Sequence, residues 1–153
     1  TQDTEWLVLA RPDDIQRMAS LTADWMRWTI DRDPQTAAHM HLDKTLQAWD
    51  RGSDIIFRHA PTIVIAHAEG ENPRAQTSCT IALTYLELAA VGLGLGTCWA
   101  GYFMKAAGVY APLARALELP KGHQCFGAMM VGAPRFSYHR LPLRNEPRIT
   151  WRL

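Results

Sequence analysis

Residues 92–101 read GLGLGTCWAG and follow LELAAV, a run of good helix formers. A glycine in a helix interior costs roughly 1 kcal/mol relative to alanine, so this segment either ends a helix or needs bare backbone for another reason. Two uses fit. In the first, the glycines close the helix in a left-handed cap and let it pack tightly on a neighbour. In the second, a main chain without Cβ atoms lies against a flat ring, with N–H groups aimed at polar ring atoms and Trp99 as an aromatic wall. The pattern is not the dinucleotide fingerprint, because G-x-G-x-x-G stands between a strand and a helix, whereas these glycines come after a helix.

Other residues capable of chemistry are sparser. The tail YHRLPLR places His139, Arg140 and Arg144 around Pro142, with Arg135 just ahead. Such arginines are either solvated or form an anion site, because a guanidinium fork matches a phosphate. His39 and His41 lie two apart, on different faces of a helix, and His59, His67 and His123 stand alone. No metal site is therefore expected. Cys98 could be a nucleophile, but no histidine or carboxylate stands near it in the chain to activate it; the plainer reading is a buried packing thiol. No acid/base pair is evident, and no catalytic residue is assigned.

The elements that must position these residues can be read from periodicity. EWLVLA (5–10) reads as a buried strand. Pro12, Asp13 and Asp14 then open a helix, where proline fits the first turn and acidic groups favour the positive end of the dipole. That helix runs to about Asp31 with Ile15, Met18, Leu21, Trp25 and Trp28 as its apolar stripe. DPQTAAHMHLDKTLQAWDRGSD reads as a second amphipathic helix ended by Gly52, and APTIVIAHA as a central strand. Residues 75 to about 93 form a long helix apolar almost all round, which predicts burial or a subunit interface. MKAAGVYAPLARALELP predicts a short helical pair, CFGAMMVGAP a buried strand, and RITWRL a terminal strand with no local partner. The order β, α, α, β, α, α, β predicts an α+β or mixed α/β layer domain.

Composition narrows the classes. A chain of 153 residues fits one domain, and 48% hydrophobic content supports a real core. The net charge is +1, from 16 basic and 15 acidic residues that are interspersed; this argues against nucleic acid and against a polybasic membrane anchor. Three cysteines without a C-x-x-C pair indicate neither a disulfide framework nor a zinc or iron–sulfur site. A reducing cytoplasm is the expected location. No apolar run approaches the ~20 residues of a membrane span, and TQDTEWLVL lacks the pattern of a signal peptide.

Three blocks taken together, TIALTYLELAAVGLGLGTCWAGYF, LELPKGHQCFGAMMVGAPRF and YHRLPLRNEPRITW, resemble the FMN-dependent nitroreductase family, in the branch whose members often carry a ferredoxin-like segment. The resemblance covers nearly the whole chain in order. It implies a largely antiparallel central sheet wrapped by helices in an intimate homodimer, with FMN in a groove between subunits. It also implies that the spine helix builds the interface and that a C-terminal extension crosses to the partner's sheet. Carried over residue by residue, Trp99, Ala100 and Gly101 match the stretch whose main chain faces the isoalloxazine. An N–H donor there would stabilise the anionic reduced flavin. Arg144 matches the basic residue on the FMN phosphate, with Arg140 as its companion. Gln2 corresponds to the glutamine of P-S-x-x-N-x-Q-P, with Asp3 in place of the last proline.

The family's R-R-S-x-R-like helix start and the P-S-x-x-N portion do not occur, so the chain reads as a single domain, 1–153, lacking its N-terminal FMN-binding block. No cluster-type cysteine run occurs either. The implied activity is an oxidoreductase working in two half-reactions. A nicotinamide or ferredoxin-type electron donor supplies reducing equivalents, and a nitroaromatic, quinone or similar small aromatic acceptor receives them. Reductive dehalogenation and flavin fragmentation also occur in related proteins, and residues 24–60, rich in Trp, His and Met, are expected to cover the substrate. Two other classes remain open: a flavin-free dimerisation or binding module, and a thiol enzyme using Cys98.

Overall fold

The computed structural model describes residues 3–136 and 143–152. Its elements are β1 (Glu5–Leu9), α1 (Pro12–Arg32), α2 (Pro34–His39), α3 (Leu42–Asp50), β2 (Thr62–Glu69), α4 (Ala75–Gly92), β3 (Gly96–Trp99), α5 (Gly101–Val109), α6 (Ala111–Ala116) and β4 (His123–Gly132). The four strands form one sheet in the order β1-β2-β4-β3, and every neighbouring pair is antiparallel. This is the α+β architecture that the alternation of elements predicts.

Helices cover both faces of the sheet. On one side, α4 packs over β2, β4 and β3 through Ala75, Cys79 and Leu83, which meet Ala66, Ala68 and Met129. On the other, α1, α5 and α6 enclose the larger core, where Phe57 and Phe103 pack with ring centroids 5.4 Å apart and planes tilted by 54°. In α1, Met18, Thr22, Trp25, Met26 and Thr29 make the buried stripe. Its two buried threonines are satisfied by the turn before, through Thr22 Oγ1 to the Met18 carbonyl (2.8 Å) and Thr29 Oγ1 to the Trp25 carbonyl (2.9 Å).

Four expectations need correction. The second helix is two, because His41 adopts a left-handed φ of 54° and breaks the segment between α2 and α3. The strand β1 is an edge, so Trp6 and Val8 are exposed instead of buried. β3 was hidden in the glycine segment, too short and polar at its start to show an alternating pattern. Residues 148–152 form no strand, and Ile149 and Trp151 are exposed; a strand needs a paired edge, and this segment is paired with neither of the sheet's edge strands, β1 and β3.

The glycine segment resolves into separate tasks. Gly94, at φ +70°, sits where the Leu95 N–H reaches the Ala90 carbonyl (2.9 Å) and the Gly94 N–H reaches the Val91 carbonyl (3.1 Å). This paired closure is the Schellman motif, which requires a left-handed residue and so favours glycine. Gly96 starts β3 against Pro134, where an added Cβ would lie 3.3 Å from the proline Cβ. Gly101 does neither, since an added Cβ would meet nothing within 4 Å.

Candidate functional site

Gly101 is the first residue of α5, and it lines a cleft of about 320 Å³ together with Met40, Ile55, Ile56, Trp99, Tyr102 and Met130. The β3–β4 ladder ends at Ala100, whose N–H is taken by the Ala128 carbonyl at 3.0 Å while its carbonyl accepts from Met104 at 2.9 Å. Ala100 is buried and therefore offers no free donor. The N–H groups of Gly101, Tyr102 and Phe103 in the first turn have no intrahelical acceptor; among the described residues none accepts from Gly101, which alone of the three has a bare Cα. The helix dipole adds positive potential at the same place.

The segment before β2 builds the opposite wall. The Asp54 carboxylate gathers three backbone N–H groups, from Ile56 (3.1 Å), Phe57 (2.8 Å) and His59 (2.9 Å). This holds Arg58 and His59 in left-handed conformations, φ 55° and 58°, which non-glycine residues adopt at a cost. Arg58 thereby lines both this cleft and an adjoining one of about 350 Å³, which continues past Cys98 to Gly132, Pro134, Arg135 and Phe136. Tyr102 ties the start of α5 to the cover: its hydroxyl lies 3.1 Å from Thr45 Oγ1 and donates to the Met40 carbonyl at 3.5 Å. Residues 40–60 thus form part of the cleft wall.

A family model for the nitroreductase family matches residues 1–133. The chain belongs to the nitroreductase family. Solved structures agree on the fold. A nitroreductase with bound FMN from Bacteroides fragilis superposes with a TM-score of 0.71 at 18% identity, over 97% of this chain and 76% of that one. One from Desulfitobacterium hafniense, also with bound FMN, gives 0.70 at 18% identity and the same coverage. An iodotyrosine deiodinase bound to FMN and 3-iodo-L-tyrosine gives 0.60 at 13% identity, over 96% of this chain and 78% of that one. No curated protein matches.

Within this nitroreductase fold the residues singled out above fall as follows. Trp99, Ala100 and Gly101 are contiguous at the end of β3 and the start of α5, and Trp99 and Gly101 line the cleft. Arg144 is exposed in a segment without regular structure. Gln2 and Arg140 lie outside the described residues. Arg135, named with the tail arginines as a possible anion site, lines the adjoining cleft; Arg58, which lines both clefts, went unassigned in the sequence, where only the Ser-Asp turn signal before it points to an organised loop. Cys98 is exposed on the wall shared by both clefts, not buried, and its Sγ contacts only the Trp99 carbonyl, at 3.8 Å, among the recorded hydrogen bonds. Among the described residues no base makes a hydrogen bond to it. By contrast, burial pushes the Cys125 thiol up to about 11.

The histidines that stand alone in sequence do not all stand alone in space. His67 and His123 meet with Nδ1 atoms 3.0 Å apart, and Glu5 lies beside them. Burial, reinforced by the positive charge His123 can carry and opposed by Glu5, lowers the His67 pKa below 6.5. Cys125, the direct cross-strand neighbour of His67, is a neutral thiol at these pH values. The unfolded chain therefore binds more protons below pH ~6.5, so the contribution of His67 is complete above that pH and is lost as pH falls through it. Denaturant unfolding in chelator-containing buffer should show the unfolding free energy falling between about pH 7.5 and 5.5, by up to ~1.4 kcal/mol per pH unit. His67→Asn should flatten that slope.

Proposed function

We propose that the chain is the flavin domain of an FMN-dependent oxidoreductase that passes reducing equivalents from a nicotinamide or ferredoxin-type donor to a nitroaromatic, quinone or similar small aromatic acceptor. The observation that carries this reading is Gly101. It has no Cβ, its N–H meets no acceptor among the described residues, and it lines a slot with Trp99, Met130 and Ile56. Such a slot suits a planar ring with a polar edge.

The residues present fit that cofactor. Gly101 would donate to the ring edge, with Trp99 and Ala100 setting the approach of the main chain. Arg144 and Arg140 would hold the phosphate, and Gln2, at the motif glutamine, would add a further FMN contact. Arg58 and Arg135 add positive charge along the adjoining cleft. Bound FMN supplies the electron-transfer chemistry, so the protein's task is orientation and electrostatics. The apolar walls would pack on the ring, and the Gly101 N–H with the α5 dipole would stabilise negative charge at its edge. The deiodinase among the structural neighbours shows this fold in a protein that binds a halogenated aromatic, which keeps the acceptor class broad.

We also propose a homodimer. The outer face of α4 exposes Ile81, Tyr85, Leu88 and Val91, followed by Leu93, with Leu88 67% and Val91 74% accessible. A contiguous apolar stripe of this kind marks an interaction surface. Among the described residues no helix is long and apolar enough to cross a membrane, and a second copy is the reading the family supports. A cytoplasmic setting fits three free cysteines.

The test is FMN titration of the purified chain, read by quenching of flavin fluorescence, with sedimentation in parallel. Saturable binding to a dimer, and protection of Cys98 from alkylation by bound FMN, are the expected outcomes. A dimer that takes up no FMN, with Cys98 equally reactive throughout, would favour the flavin-free module instead.

A further inference from the structure

At the end of the sheet opposite the cleft, donor side chains from three strands converge. Glu5 of β1 stands directly across from His67 of β2, and His123 opens β4. The two imidazole Nδ1 atoms are 3.0 Å apart, and one ligand atom from each of the three residues lies within 4.8 Å of the others. Five residues of strand separate His67 from Thr62 beside the cleft, about 17 Å at ~3.3 Å per residue. The convergence is independent of the flavin site.

A register shift creates it. β2 and β4 pair as Ala66 with Gly127 but His67 with Cys125, so Phe126 is an extra residue on β4. Regular pairing from Ala66 would set His123 opposite Gly70 and turn its side chain to the α4 face. The bulge instead pairs His123 with Glu69, which puts it on the same face as His67 and two residues along. Cys125, the nearest sulfur on that face, donates to the Gly127 carbonyl at 3.8 Å and stays protonated.

We propose that Glu5, His67 and His123 bind one divalent transition-metal ion of the zinc class, which clips the edge strand β1 to the two central strands. Two imidazoles and one carboxylate are the donor set such ions prefer. With ion–nitrogen bonds of about 2.05 Å, the 3.0 Å nitrogen spacing subtends roughly 95° at the ion, and an opening of ~0.3 Å reaches the tetrahedral angle. Glu5 is exposed, so the remaining coordination positions open to water. Without an ion one Nδ1 must carry the proton of the histidine–histidine hydrogen bond; binding moves it to Nε2 and leaves both Nδ1 lone pairs for the metal.

Co2+ titration of the chelator-treated, untagged chain tests this through visible ligand-field absorption, with the thermal midpoint measured with and without Zn2+. One Co2+ per chain should bind, Zn2+ should displace it, and Zn2+ should raise the midpoint. His123→Ala should abolish stoichiometric binding. Glu5→Gln, at an exposed position that the fold tolerates, should weaken it by at least about tenfold, since even outer-shell partners are worth that much. A triple His39→Ala, His41→Ala, His59→Ala variant should bind as the parent does. The proposal is overturned if the parent takes up no stoichiometric Co2+, which would leave a pH-sensitive histidine pair. It is equally overturned if binding survives in both His123→Ala and Glu5→Gln.

Discussion

Gly101→Leu should cost the protein its FMN and leave its fold standing. Gly101 has no positive φ and no atom within 4 Å of a Cβ placed on it, so leucine meets no clash and should hold the first turn of α5 at least as well as glycine. Gly101 lines the same slot as Trp99 and Met130, so a bulky side chain at this position would compete for the space the ring would occupy. The expected result is a loss of FMN affinity of more than about 100-fold, roughly 2.8 kcal/mol, with an unchanged thermal midpoint. Gly108→Leu is the control, because Gly108 is equally open on the same helix but borders a different pocket. Equal FMN affinity in the two variants would move the ring site away from α5.

Phe103→Ala should give a large loss of stability. Phe103 is fully buried, and its ring packs on Phe57, which is also fully buried. Truncating a buried phenylalanine costs about 3–5 kcal/mol, through lost transfer energy and the cavity left behind. At about 2–4 °C per kcal/mol for a chain of this size, the thermal midpoint should fall by roughly ten degrees. The pair also joins the first turn of α5 to the Asp54-organised loop that carries Arg58, so the same variant should weaken FMN binding. A denaturant midpoint implying less than about 1 kcal/mol would show that the core repacks around the gap.

The glycine segment shows how far local pattern reaches. The cap reading is met at Gly94, and Gly101 is open backbone, as the ring-facing proposal requires, but one-dimensional spacing could not divide the glycines between the two. A cap is local, made of residues 90–95; the openness of Gly101 depends on Met40, Ile56 and Met130, which come from three other parts of the chain.

What the sequence determined by itself was whatever a single element can encode. The stripe and acidic first turn of α1, the apolar runs of β2 and β4, the length of α4 and the family blocks around Trp99 were all legible, because periodicity and capping act over one or two turns. Tertiary structure alone decided which strand became an edge, that His41 breaks a helix, and that Arg58 turns into the cleft through Asp54. It alone brought Glu5, His67 and His123 together. The reason is physical: a side chain's face follows from its own strand, but its neighbours follow from register. Register between β2 and β4 was set by one extra residue whose effect exists only once strands 56 residues apart have paired.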